Sequence, residues 1–395
     1  MPHKLPFSPA DILLPKTELQ KWSTIACDQF TSQNDYWESV SREVGDTASC
    51  YHITLPEIYL NDDNVEKRIA AINETMHKYI DETLFDEYKD ALILVERTVT
   101  GGKTRRGLLG AFALEDYSYE KGAKPLIRPT EGTGLSRIPA RVEIRRGAAL
   151  ELPHIMILMD DHKENIIESV DISKLKLLYD FDLMLGGGHI RGWLLSDEEK
   201  KQILDKLTRL CQRCEIGGEM LFAVGDGNHS LAAAKAISTL TDSEKAQYAL
   251  AELVNIHNEG IIFEPIYRVV FHVDTDKFFT YLKSVFPDEA GRKVEYISAE
   301  KNGTLHVNGL EADVLQKAID DYITAHPEAE VDYIHGESAV RDLAQKKNVA
   351  GFLFDGMAKE ELFDYVNQNG PLPRKTFSIG QAEDKRYYLE ARRIR

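Results

Sequence analysis

Cysteine is scarce in this chain: four among 395 residues cannot supply a disulfide framework. Positive charge is also in deficit, with 48 Lys and Arg against 65 Asp and Glu, a net charge of −17 that opposes binding to nucleic-acid phosphates across any broad surface. A nucleic-acid partner is therefore not expected. No apolar run approaches the roughly 20 residues that span a bilayer. The opening MPHKLPFSPADILLPK has no signal-peptide core either, so a soluble cytoplasmic protein without a membrane partner is expected. Internal repeats, low-complexity tracts and long flexible linkers are absent too.

What is present exceeds one ordinary core, and the length implies two or three lobes. Cys211 and Cys214 form a Cys-x-x-Cys, but they continue the apolar stripe of Ile203, Leu204, Leu207 and Leu210 on one helix beginning near Asp197. No second such pair exists to complete a zinc site. Buried thiols are expected, and no metal ligands.

The segment with chemical content is Leu221 to Ala236, LFAVGDGNHSLAAAKA. It reads as a strand, a Gly-Asp-Gly-Asn turn and an alanine-rich helix. Gly225 and Gly227 permit positive φ and close approach of a ligand, and the unpaired N–H groups of a first helical turn attract anions. Asp226 and His229 place two titratable groups at the same point. The alternative is an inert turn with Asn228 as helix cap.

Gly227, His229, Ser230 and Ala233 resemble the Gly-x-His-Arg-x-x-Ala pattern of the ParB/sulfiredoxin-like superfamily. Asp226-Gly227-x-His229 is similar to the Asp-Gly-His-His-Arg motif of one branch, the domain-of-unknown-function family 1015. Three further segments agree in order: Ile127 to Thr133 (IRPTEGT), Leu253 to Val270 (LVNIHNEGIIFEPIYRVV) and Arg374-Lys375-Thr376-Phe377. The resemblance implies a ParB/sulfiredoxin-like core, and it extends to the archaeal ADP-dependent free serine kinase. In that kinase the positions matching Asp226 and His229 serve the reaction, and a Glu acts as base.

Glu131 is the candidate base here on its carboxylate chemistry. Two departures stand out. Asn228 replaces the catalytic Cys of sulfiredoxin, which argues against sulfinic-acid reduction. Ser230 replaces the Arg that contacts phosphate in relatives, so another cation must offset the phosphate charge. Arg268, matched to the family's His-Arg-Val-Val segment, is the first choice, with Arg137 and Lys375 as alternatives.

Along the chain, Val65, Ile69, Ile72, Met76 and Tyr79 mark an amphipathic helix. Ala91–Val99 and Arg106–Leu114 flank Gly101-Gly102-Lys103 as a hairpin. Trp22 to Trp37 is a candidate pocket cover or an ordinary capped helix and turn. Pro125 to Leu152 carries a local excess of arginine, from which Arg137, Arg141, Arg145 or Arg146 is placed to bind phosphate, unless neighbouring acids pair with them. His189, Arg191 and Trp193 alternate on one strand face and form a second candidate pocket.

Beyond Phe271, Asn302-Gly303 signals a hairpin. Val331–Ile334 and Val349–Phe354 read as buried strands each followed by a helix, and Pro371 to Tyr388 reads as an extended return toward the core. The expected organisation is a mixed α+β and α/β chain. Residues 1–90 pack on a core at 91–271, and 272–395 form an added α/β lobe.

The function expected from these residues is nucleotide-dependent phosphoryl transfer to a hydroxyl of a small molecule, with ADP or ATP and Mg²⁺. Gly225, Gly227, Asn228 and Ser230 would bind phosphate, and Asp226, His229 and Glu131 would carry catalysis. The competing expectation is a nucleotide-binding sensor or switch without turnover, and a third is an inert scaffold. The sequence names neither the acceptor nor the oligomeric state.

Overall fold

The apolar runs on either side of Gly101-Gly102-Lys103 pair as an antiparallel hairpin, Ile93–Thr98 with Thr104–Ala113. That hairpin lies in a nine-stranded sheet among the described residues, which in this computed structural model are 4–120, 122–132 and 138–395. From one edge, the strands run Lys176–Asp182, His189–Leu194, Ile93–Thr98, Thr104–Ala113, Tyr248–Asn255, Met156–Met159, Phe222–Asp226 and Ile127–Pro129. Phe7–Ser8 also pairs with Thr104–Ala113. The pairs Tyr248–Asn255 with Met156–Met159 and Phe222–Asp226 with Ile127–Pro129 are parallel, and the others are antiparallel.

Helices bury their apolar stripes in the same unit. Asp197–Gly217 starts where Ser196 Oγ accepts the Glu199 N–H and stops at left-handed Gly218 (φ 68°). It buries Ile203, Leu207, Leu210 and Cys211 as its periodicity predicts, whereas Cys214 is half-buried. Burial raises both thiols, Cys214 to about 11, where Glu219 adds to the effect. Val65–Asp81 likewise buries Ile72, Met76 and Tyr79.

The chain divides into Met1–Ile261 with Gly380–Arg395 as one unit and Ile262–Ile379 as the other. This differs from the three expected segments. The expected core at 91–271 includes Phe263–Phe271, but the ladder bonds of that strand go to Val349–Phe354, Glu330–His335 and Phe377–Ile379, all in the second unit. The last sixteen residues return to the first unit: Tyr387–Tyr388 pairs with Thr24–Ile25 and Arg392–Arg393 with Leu150–Glu151.

Every strand pair of the second unit's sheet is antiparallel, so this lobe is α+β and not the expected α/β. Val349–Phe354 is wholly buried, but Glu330–His335 is an edge strand and largely exposed. Asn302-Gly303 lies within a strand and not in the turn. Ile297 pairs with Asn302, and Ser298 to Lys301 makes the connection. Gly303 serves close packing, since a Cβ there would come 2.3 Å from the Tyr296 hydroxyl.

Candidate functional site

The strand Phe222–Asp226 passes through Gly227, in the left-handed conformation (φ 78°, ψ 25°), directly into the helix Asn228–Ser238. Only glycine takes this backbone without strain, and a Cβ would also meet Ile155 at 2.9 Å. Gly225 has a different task. It marks the register shift between the pairs Val224↔Ile157 and Asp226↔Met156, a bulge that re-aims the end of the strand. Asp226 Oδ1 accepts the Gly227 N–H at 2.9 Å, and its other oxygen lies 3.5 Å from Lys385 Nζ. The N-cap is Gly227, which has no side chain, and the positive end of the helix opens beside Asp226. Ala232, Ala233 and Ile237 seat the helix against Ile138 and Val142 of the helix Ile138–Gly147.

That neighbouring helix delivers Arg141, whose guanidinium donates to Ser230 Oγ at 3.2 Å and also pairs with Glu57. Ser230 Oγ is 3.0 Å from His154 Nε2, and His154 Nδ1 is 3.1 Å from the Tyr388 hydroxyl, which accepts the Cys27 N–H at 3.2 Å. The bonding pattern is satisfied when Ser230 donates to a neutral imidazole and the Nδ1–H is given to Tyr388.

Burial is the main reason the His154 pKa is lowered. Asp28 and Asp226 oppose the shift, and Arg141 and Arg386 reinforce it. Burial alone would raise Asp28. The charge His154 carries when protonated, with Arg141, the Gln29 amide and Lys385, outweighs it and holds that carboxyl below its ordinary value. Asp28 belongs to the Trp22 to Trp37 segment, for which the sequence leaves open a pocket cover or an ordinary capped helix and turn.

Beneath these groups lies a buried ion network. Arg386 donates to Glu252 at 2.7 Å and to Glu390 at 2.7 Å, Tyr179 donates to Glu390 at 2.5 Å, and Arg105 lies 3.7 Å from Glu252. It anchors the returning C-terminal strap that carries Lys385 and Tyr388.

The structure brings together several residues expected at the site. Asp226, Gly225, Gly227, Asn228, His229 and Ser230 lie on one turn. Glu131 follows Ile127–Pro129, the parallel neighbour of Phe222–Asp226, and the preceding Thr130 donates to the Val224 carbonyl at 2.7 Å. Its backbone is therefore beside the turn despite the long sequence separation.

Arg268, the expected counter-charge to phosphate, is instead a core residue. Arg268 is fully buried in the second unit and donates to Gln316, Ile266 O, Lys375 O and Ala312 O, so its donors serve that lobe's core. Lys375, exposed in the same unit, supplies one of those carbonyls. Arg137 lies outside the described residues. Of the other arginines of that segment, Arg145 pairs with Glu151 and Arg146 with Glu143, whereas Arg141 reaches the turn.

His189 and Arg191 do face one way with Trp193, over whose ring Arg191 lies at 5.2 Å, but their strand is five places from Phe222–Asp226 in the sheet. His189 is held between Asp180 and Asp182, each at 2.7 Å, and Arg191 by Glu96 at 2.7 Å.

Lys385, Tyr388, His154 and Asp28 were not found from sequence. Their only signal was the extended return expected for Pro371 to Tyr388 and the aromatic-rich segment around Asp28.

A family model described as a protein of unknown function (DUF1015) matches residues 6–392. The chain belongs to the DUF1015 family. No curated protein matches this DUF1015 member. Among solved structures, it is similar to a conserved hypothetical protein from Pyrococcus furiosus, with 14% identity and TM-score 0.35 over 71% of this chain and 90% of that one. A free serine kinase in complex with AMP aligns at 12% identity and TM-score 0.39, covering 72% and 90%. SbnI from Staphylococcus aureus aligns at 10% and 0.37, covering 69% and 82%. These scores and identities are too low to carry residue roles across.

Proposed function

We propose that the chain is a nucleotide-dependent phosphotransferase acting on a hydroxyl of a small molecule, with a ParB/sulfiredoxin-like core supplying the turn. The observation that carries the reading is the convergence of two cations on a helix N-terminus that follows a left-handed glycine: Arg141 on Ser230 and Lys385 on Asp226. Phosphoryl transfer needs charge neutralisation and positioning more than a protein nucleophile. The first-turn N–H groups, with Arg141 and Lys385 in place of the family's arginine, would take the phosphates of ADP or ATP. The acceptor oxygen then attacks the terminal phosphorus, the bond to the departing nucleotide breaks, and the hydroxyl proton passes to Glu131. His229 is assigned to the transferring group. The carboxylates facing the turn, Asp226 and Asp28, are hard oxygen donors of the kind Mg²⁺ takes, and the ion would arrive with the nucleotide and neutralise phosphate charge.

The test is a screen of ADP and ATP with Mg²⁺ against hydroxyl-bearing metabolites, followed by ³¹P NMR. Glu131→Gln should lower turnover by about 10²–10⁴-fold while nucleotide affinity is kept. Nucleotide binding without a phosphorylated product would support the sensor reading instead.

A further inference from the structure

Asp160, His162 and His257 place one carboxylate and two imidazoles so that their ligand-type atoms all lie within 4.8 Å of one another. Both imidazoles approach the same oxygen: Asp160 Oδ1 is 2.7 Å from His257 Nε2 and 3.3 Å from His162 Nε2, and the two rings lie 4.3 Å apart. Around an ion with bonds of about 2.1 Å, tetrahedral ligand atoms stand about 3.4 Å from each other, near the Asp160–His162 separation and wider than the Asp160–His257 hydrogen bond, which an ion would replace.

The loops that present them are pinned. Asp160 follows Met156–Met159 and His257 follows the parallel neighbour Tyr248–Asn255. Asn255, wholly buried, accepts the N–H groups of Asp161 and His257 and donates to the Asp161 carbonyl at 3.0 Å. Asp161 in turn accepts the N–H groups of Asn165 and Ile166, which fixes the turn carrying His162. Such fixed ligand geometry, reached before any ion arrives, is the requirement for tight coordination.

We propose that Asp160, His162 and His257 form a binding site for one divalent transition-metal ion of the zinc class. Two imidazoles and a carboxylate suit such ions better than Mg²⁺ or Ca²⁺. His162 is 70% exposed, which leaves the outer side of the ion open to water or a small ligand. The site is separate from the phosphate turn. Met156 pairs with Asp226, and Asp160 lies four residues further along, about 13 Å at 3.3 Å per residue.

The test is titration of the full chain with Co²⁺ alone, read by its visible d–d absorption, together with metal analysis after equilibration with Zn²⁺ and dialysis. One saturable equivalent per chain is expected, with affinity reduced at least about tenfold in Asp160→Asn and in His162→Ala. The exposed His162 can be replaced without disturbing the core, so His162→Ala reports even if Asp160→Asn fails to fold. No saturable binding, or unchanged binding in folded His162→Ala, overturns the proposal.

Discussion

Single residues decide both the charge balance of the turn and its response to pH. Lys385 and Arg141 are the cations at Asp226 and Ser230, whereas Arg268 is a core residue of the other unit. Arg268→Ala should therefore lower stability, by about 3–5 kcal/mol as expected when one member of a buried polar set is removed, measured by urea unfolding.

His189 gives a second expectation. The hydrogen bond that His189 donates to Asp182 leads in raising its pKa, with Asp180 adding to it and partial burial opposing. A raised folded-state pKa makes the stabilisation fully present below the unfolded value near 6.5 and lost as pH rises through the folded value. His189→Gln should thus lower the melting temperature at pH 5.5 and leave it unchanged at pH 9. An equal loss at both would remove the ion-pair explanation.

What was unreadable at this scale is clear from Arg268. Its acceptors are mostly backbone carbonyls, and carbonyls leave no signature in residue identity. A core arginine and a phosphate-binding arginine therefore look alike in sequence.

At the scale of elements, the turn was legible because each local signal agreed. The apolar run made the strand Phe222–Asp226, Gly227 supplied the one left-handed residue, and the alanines made the helix Asn228–Ser238. The placement of Glu131 beside it depends on the parallel pairing of Ile127–Pro129, which no local pattern encodes. Glu330–His335 shows the opposite failure: an alternating β-rich segment reads as strand, but whether it is central or at an edge is set by its neighbours.

The C-terminal strap was visible only as an extended return. Its function rests on two contacts that can be removed separately. Tyr388→Phe keeps the packing but deprives His154 Nδ1 and the Cys27 N–H of their partner, and should cost about 1–3 kcal/mol in chemical denaturation. Glu252→Ala leaves Arg386 and Arg105 with a missing counter-charge in a buried site, and should cost about 3–5 kcal/mol. A loss below 1 kcal/mol in the second case would mean that the network does not hold the strap.

For the whole molecule, the net charge of −17 sets local attraction at the turn against general repulsion of a nucleotide. On the proposed reading, phosphate binding would come from the helix end and the two nearby cations, because a net negative surface opposes it. The most direct measurement is calorimetric titration of ADP and ATP, each with Mg²⁺, into the intact chain and into Lys385→Ala and Arg141→Ala, with circular dichroism to establish that both variants fold. The account predicts saturable binding to the intact chain, weakened in each variant by about 1.5–3 kcal/mol, the size of a charge-assisted hydrogen bond. Absence of nucleotide binding, or unchanged affinity in both folded variants, would contradict it.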